Sequence, residues 1–350
     1  NNGRYVSPPG VVREQLNNNN TIVRQNEQSL VVNTCKLEPE DSRAVYKNIN
    51  VDMRQFKKLR MFIHAEEGVG LGLQDGDAVG FIRMGNDFTQ NYYQIEIPLA
   101  VSTTGSTSES EVWKPENEIN LPIEVLAKIK ALGISAGTLG NLEPTFYDVI
   151  DGVLDQTSVP EFSPYTIGQQ RVAIKGNPNF GDIRTLMVGI KNSHQQLESI
   201  DVCAEVWFNE LRLSDMDNEG GWAAIASMDS NIADFMDISA TGRRSTTGFG
   251  TIEQGPNQRS REDIKQYDVV TNVNLGQLLP KKWGVQIPFN YGQSEEIITP
   301  EYDQQYKDVK LQDRLDAAAT STERETIRQQ SEDYTKRQSI NFIGVRKQRT

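Results

Sequence analysis

The chain carries two cysteines, Cys35 and Cys203, and two histidines, His64 and His194, the residues best suited to redox, metal or acid–base work. Each cysteine sits in a strand-like run, LVVNTCKL and IDVCAEVWF. Two are too few for a disulfide framework. If the first and last strands of a sandwich are neighbours, the thiols pair in an oxidising compartment; otherwise both remain buried free thiols, and the sequence leaves the choice open. His64 lies in the apolar run LRMFIHA and reads as a packed core residue rather than a ligand or base. No Ser-His-Asp or Cys-His context surrounds either histidine. Carboxylates are plentiful, yet none pair off as acid and base. The expectation is therefore no catalytic residue, no cofactor and no enzyme.

Two stretches imitate ligand loops. Asp215, Asp217, Glu219 and Gly220 match the start of an EF-hand loop, but Ala226 stands where the bidentate Glu belongs, so an acidic turn is the better reading and no metal site is expected. Gly68, Gly70 and Gly72 suggest a phosphate loop, but no helix start or Lys-Ser/Thr pair follows, which leaves a turn.

These residues must be held by β structure. At 350 residues, two domains are expected, and the net charge of -12 argues against a nucleic-acid partner. No run of about 18 apolar residues exists, so no transmembrane helix is expected, which does not touch a β-barrel. The chain opens without Met or signal peptide and ends on RKQRT, and it reads as an excised piece.

Strand patterns at 29–37, 43–51, 58–65, 81–84, 92–99, 170–174, 184–191 and 200–213 surround one helix that starts at Pro122 and stops at Gly133. Residues 141–169 read as a long irregular region. Together, residues 1–215 make an entry segment and a jelly-roll-like, galactose-binding-like β-sandwich. From residue 216 the texture changes, with a hairpin over 221–228 and 234–241 and long alternating strands after it. Tyr267, Val269, Thr271, Val273 and Leu275 share one face. Trp283, Val285, Ile287, Phe289 and Tyr291 form a second apolar face with an aromatic at each end. That pattern fits a lipid-facing outer-membrane barrel strand. It equally fits an amphipathic strand of a soluble sandwich. Residues 306–337 read as a charged helical excursion, two helices broken near Thr320 with a capping box from Thr322 to Glu325; a strand follows at 339–346. Leu311, Leu315 and Ile327 give too narrow a stripe for a core. The fold class is all-β in the main: a sandwich, then antiparallel barrel-type strands over 216–350.

The runs NEQSLVV, NVDMRQFKKLRMFIHAE, AEVWFNELRLSD, DNEGGWAA, TTGFGTIEQ and QYDVVTNVNLGQLLPKKWGVQIPFNY resemble the SprA/Sov family, the gliding-motility and type IX secretion translocon of Bacteroidetes. The resemblance runs from about residue 5 to 302, with 141–169 least like the family. It implies an internal piece of a very wide single-chain β-barrel in the cell outer membrane, through which folded cargo leaves. Outer-membrane lipid, a PorV-type partner barrel, a plug protein and secreted cargo are the implied partners. The sandwich also resembles carbohydrate-binding modules, whose last strand reads much like VWFNELRL. A glycan site at exposed Tyr92, Tyr93 or Trp113 is the alternative, and an enzyme of surface-glycan metabolism would need facing carboxylates in a pocket.

Overall fold

The structure is a computed structural model and describes residues 5–11, 15–18, 21–24, 28–68, 72–255 and 258–348. Gly70 lies outside the described residues. The chain forms two compact units, Asn1–Asp217 and Asn218–Thr350.

In the first unit, strands β1 (Gln15–Asn18) and β2 (Thr21–Arg24) pair with each other. Next come β3 (Leu30–Leu37), β4 (Ser42–Val51), β5 (Phe56–Glu67), β6 (Ala78–Gly85) and β7 (Tyr92–Pro98). A short helix α1 (Glu109–Val112), strand β8 (Ile119–Pro122) and helix α2 (Ile123–Ala136) follow. Strands β9 (Thr145–Ile150), β10 (Val153–Val159), β11 (Gln170–Lys175), β12 (Ile183–Asn192) and β13 (Val202–Met216) complete it. One sheet has the order β10-β9-β11-β7-β6-β12-β4 and the other β3-β13-β5-β8, with every paired strand antiparallel.

Period-two alternation decides what is buried. Along β5, Met61, Ile63 and Ala65 enter the central core, as do Tyr93, Ile95 and Ile97 of β7. Leu126 and Ile129 of α2 join the same core. The sandwich expected for this half is thus present. Three details differ from expectation. Helix α2 passes through Gly133, where Leu139 packs too close for a side chain, and ends at Gly137, whose φ of 70° suits a left-handed cap. Residues 141–169, expected to be irregular, hold β9 and β10. Strand β13 runs on to Met216, so the acidic turn begins later than Ser214.

The face of the seven-stranded sheet turned away from the core is also covered. There Lys191 lies 3.2 Å from Glu96 and 3.1 Å from Glu161, and the Tyr165 hydroxyl donates to Glu96 at 2.6 Å. The Arg171 guanidinium pairs with Asp148 at 2.7 Å and donates to the carbonyls of Glu161, Ser163 and Pro164. Side chains, rather than strand pairing, thus hold residues 160–168 against the sheet.

The second unit contains β14 (Ala223–Ile232), β15 (Met236–Ser245), β16 (Glu262–Asn274), β17 (Val285–Gln286), β18 (Pro288–Pro300), α3 (Leu311–Ala317), α4 (Ser321–Ser331), β19 (Asp333–Phe342) and β20 (Arg346–Lys347). One antiparallel sheet runs β14-β15-β16-β18-β19, and among the described residues no sheet closes into a barrel. The helical excursion is shorter than 306–337, because β19 starts at Asp333. Its break lies where expected, but the cap is two residues earlier: Glu323 N–H donates to Thr320 Oγ1 at 3.1 Å, and Glu323 Oε2 accepts from Ala319 N–H. Leu311, Leu315, Ala318 and Ile327 do form a small buried cluster, so the narrow stripe suffices to join two helices.

Candidate functional site

The sheet of the second unit sorts its side chains by chemistry. Residues paired across antiparallel strands point to the same side. Val273 faces Phe289, which faces Phe342, and their row continues to Met236 and Ile232. In the next row Thr271, Tyr291 and Ile340 align with Ile238. Phe289 and Phe342 touch, with ring centroids 5.2 Å apart. Further along the same face the next row holds Val269, Gln293 and Gln338, and the one after it pairs Lys336 with Glu295 at 2.8 Å beside Tyr267, so the two apolar rows give way to polar ones.

The reverse face is mostly polar. Asn290 donates to Asn272, Asn231 donates to Asp237, and Asp268, Ser294 and Arg337 share a row. Val270, Ile225, Ile264 and Ile298 are its apolar intrusions. The strands are ten, ten, thirteen, thirteen and ten residues long. About 9–11 residues cross a bilayer when tilted. Yet among the described residues these five strands contain no buried apolar side chain. Ile340 and Phe342 are 58% and 57% exposed. A face of this kind does not end in water without a cost of about 25 cal/mol per Å².

The strand expected over 283–291 is interrupted. Trp283 closes a 3-10 turn (Lys281–Trp283) and is exposed, and Gly284 takes a φ of 60°. Val285 belongs to β17, which pairs with β20 instead. The Ile287 carbonyl accepts from Leu275 N–H at 2.9 Å, and Pro288, which has no N–H, opens β18. Of the five residues named for this face, Phe289 and Tyr291 lie on the long sheet; Trp283, Val285 and Ile287 lead into it. Ile340 and Phe342 lie in the strand expected over 339–346, but their face is not evident from the sequence, because the alternation of Tyr334, Lys336, Gln338, Ile340 and Phe342 begins in residues 333–337, which read as helical excursion.

The other candidates resolve individually. Cys35 on β3 and Cys203 on β13 are joined by a disulfide between neighbouring strands. His64 is buried; Val112 O lies 2.7 Å from its Nδ1, Trp207 lies against its ring, and burial pushes its pKa below the ordinary value. His194 spans Asp77, 3.0 Å from Nε2, and Glu198, 2.9 Å from Nδ1; that contact, with Gln195 N–H, holds the Glu198 carboxyl below the usual range. Asp215 pairs with Lys58 at 3.3 Å and Asp217 with Lys57 at 3.5 Å. Gly72 N–H donates to the Glu67 carboxylate at 2.7 Å, which turns this loop toward an anion of its own chain.

The proposed glycan aromatics are not exposed. Tyr92, Tyr93 and Trp113 are 4%, 0% and 3% accessible. Tyr93 stacks on Phe180 in the core, and Arg83 covers the Tyr92 ring. The alternation on β7 places one tyrosine on each face, but both faces are covered.

No curated protein matches the chain. A family model, SprA_N, described as motility related/secretion protein, matches residues 2–315.

Proposed function

The chain belongs to the SprA_N family of motility-related/secretion proteins, and from that premise we propose that it is a section of the outer-membrane translocon of the type IX secretion system, which also serves gliding in gliding species. The observation that carries this reading is the five-stranded sheet with one apolar face, one polar face and no buried apolar side chain among its described residues. In a barrel wall the face bearing Phe289, Tyr291, Ile340 and Phe342 meets lipid, and the face bearing Asn272, Asn290 and Asp268 meets a wet lumen. The β14 and β19 edges, each paired on one side only, find their remaining partners in further strands of a longer barrel. Tyr267, Glu295 and Lys336 stand where the apolar wall gives way to the interface.

The sandwich of the first unit caps, narrows or gates the pore, or docks its partners: a PorV-type barrel, a plug protein and the folded cargo. Transport of this kind requires no hydrolysis by the chain itself. The polar groups of the sandwich, Glu96, Lys191, Arg171 and Asp148 among them, satisfy one another, in keeping with a structural part. The test is flotation of the full chain with vesicles of outer-membrane lipid. Co-flotation that persists in high salt supports a lipid-facing wall, since apolar contact is not screened. Retention of the chain in the soluble fraction as a monomer would count against it.

A further inference from the structure

We propose that the outer face of the four-stranded sheet is a recognition groove for an extended, proline-bearing peptide segment, filled in this chain by its own residues 5–11. This goes beyond the transport reading and does not depend on it.

The groove follows from strand alternation. With Met61, Ile63 and Ala65 turned into the core, Phe62 and His64 face outward from β5. On β13, Trp207 and Asn209 stand opposite them, in register with His64 and Phe62 respectively. A two-layer sandwich has no third layer to cover this face. Trp113, just after α1, closes one side, its ring centroid 6.2 Å from Phe62, 6.1 Å from His64 and 6.5 Å from Trp207. Four aromatic rings thus line a single trough.

Residues 5–11, YVSPPGV, lie in it. The Trp113 indole N–H donates to the carbonyl of Val6 at 2.9 Å, and the Asn209 side-chain amide donates to the Tyr5 hydroxyl. Tyr5, Val6, Val11 and Trp207 pack against Phe62, Val112 and Trp113, and Pro8 is buried. Ser7 and Pro8 each precede a proline, which confines both to extended backbone. The chain then turns, with Val11 N–H donating to Pro8 O at 3.3 Å and Gly10 at a φ of 71°. An aromatic-lined trough with an indole donor aimed at a peptide carbonyl is the chemistry by which proline-rich segments are read. Low conformational entropy of the ligand is what makes such recognition economical. The occupant is held by side-chain contacts rather than by strand pairing, so a second segment of the same character can take its place.

The experiment is fluorescence anisotropy with a labelled peptide of residues 5–11. A variant lacking residues 1–11 is expected to bind it saturably. The intact chain should bind at least about tenfold more weakly, because the tethered segment competes at an effective concentration on the order of millimolar. Trp113→Phe, which keeps a ring and loses the donor, should weaken binding to the shortened variant by about fivefold. A peptide with both prolines replaced by alanine should also bind more weakly. If the shortened variant keeps its strand circular dichroism and its disulfide but fails to bind, or if the intact chain binds equally well, the proposal is overturned. Should the shortened variant not fold, the full-length Pro8→Gly/Pro9→Gly variant carries the test: peptide binding there supports the groove, and its absence overturns it.

Discussion

Cys35 and Cys203 lie 168 residues apart in sequence and are joined across neighbouring strands, so their bond closes most of the first unit into one loop. In the chain-entropy treatment a loop of that length is worth about 5 kcal/mol, and native disulfides of small domains commonly contribute about 2–5 kcal/mol. The Cys35→Ser/Cys203→Ser variant is therefore expected to lower the unfolding free energy of the first unit by that order, read as a lower denaturant midpoint, and reductant should do the same to the parent. An unchanged midpoint would mean that strand pairing alone holds β3. His64 makes a second prediction. Its folded pKa is depressed by burial, so the unfolded chain takes up the proton first. The stability it lends is fully present above the unfolded value of about 6.5 and is lost as pH falls through that value toward the lower folded one. His64→Phe should flatten the pH dependence between about pH 7.5 and pH 5; an identical slope in both proteins would contradict this. At this scale the sequence was informative about type and less so about cover. His64 reads as a packed core residue because its sequence neighbours are apolar; it is buried, but on the outward face of β5 against Trp113 and Trp207 rather than in the central core. Tyr92 read as exposed, because nothing local shows that Arg83 and residues 160–168 would lie over that face.

Elements were legible where pattern alone decides them. Alternation assigns both faces of β7 and of β16 up to Asn274, though Leu275 opens a 3-10 turn, and the break near Thr320 lies where expected although Thr320 rather than Thr322 forms the cap. It failed where a backbone requirement intervenes, as at Gly284 and Pro288, which split a run that alternates well from Trp283 to Tyr291. It also failed where cover comes from afar: β9 pairs with β11, and β10 with β9, in a stretch whose prolines suggested only loop. The segment over 160–168 gives the prediction at this scale. Lys191 and Glu96 have side chains 5% and 0% accessible. Breaking a buried pair costs about 3–5 kcal/mol because one charge is left unpaired. Lys191→Met should therefore destabilise the sandwich by about 3 kcal/mol and free residues 160–168 for proteolysis. Lys191→Met/Glu96→Leu should recover much of the loss. A double variant as unstable as the single one would show that the clasp acts through something other than the stranded carboxylate.

For the molecule as a whole, the two units solve the same problem differently. The first buries its apolar faces between two sheets; the second leaves one apolar face without cover among the described residues and two sheet edges paired on one side only. An open edge is a template for further pairing, so on the proposed reading neighbours on both sides and an apolar medium on one face would complete the second unit. A change of texture near residue 216 is legible in the sequence, close to the boundary between the two units; which positions share the apolar face is not, because it depends on register across five strands. The same register makes adjacent positions of β19 opposites. A lysine at Ile340 on the apolar face should cost about 2–4 kcal/mol of membrane insertion, while one at Ser339 on the polar face should cost little. The most direct test places a tryptophan at Phe342 or at Asn341 and measures quenching by brominated lipid in membranes holding the full chain. Strong quenching of Phe342→Trp with little for Asn341→Trp is the expected result. Equal quenching at both positions, or none at Phe342→Trp, would contradict a lipid-facing wall.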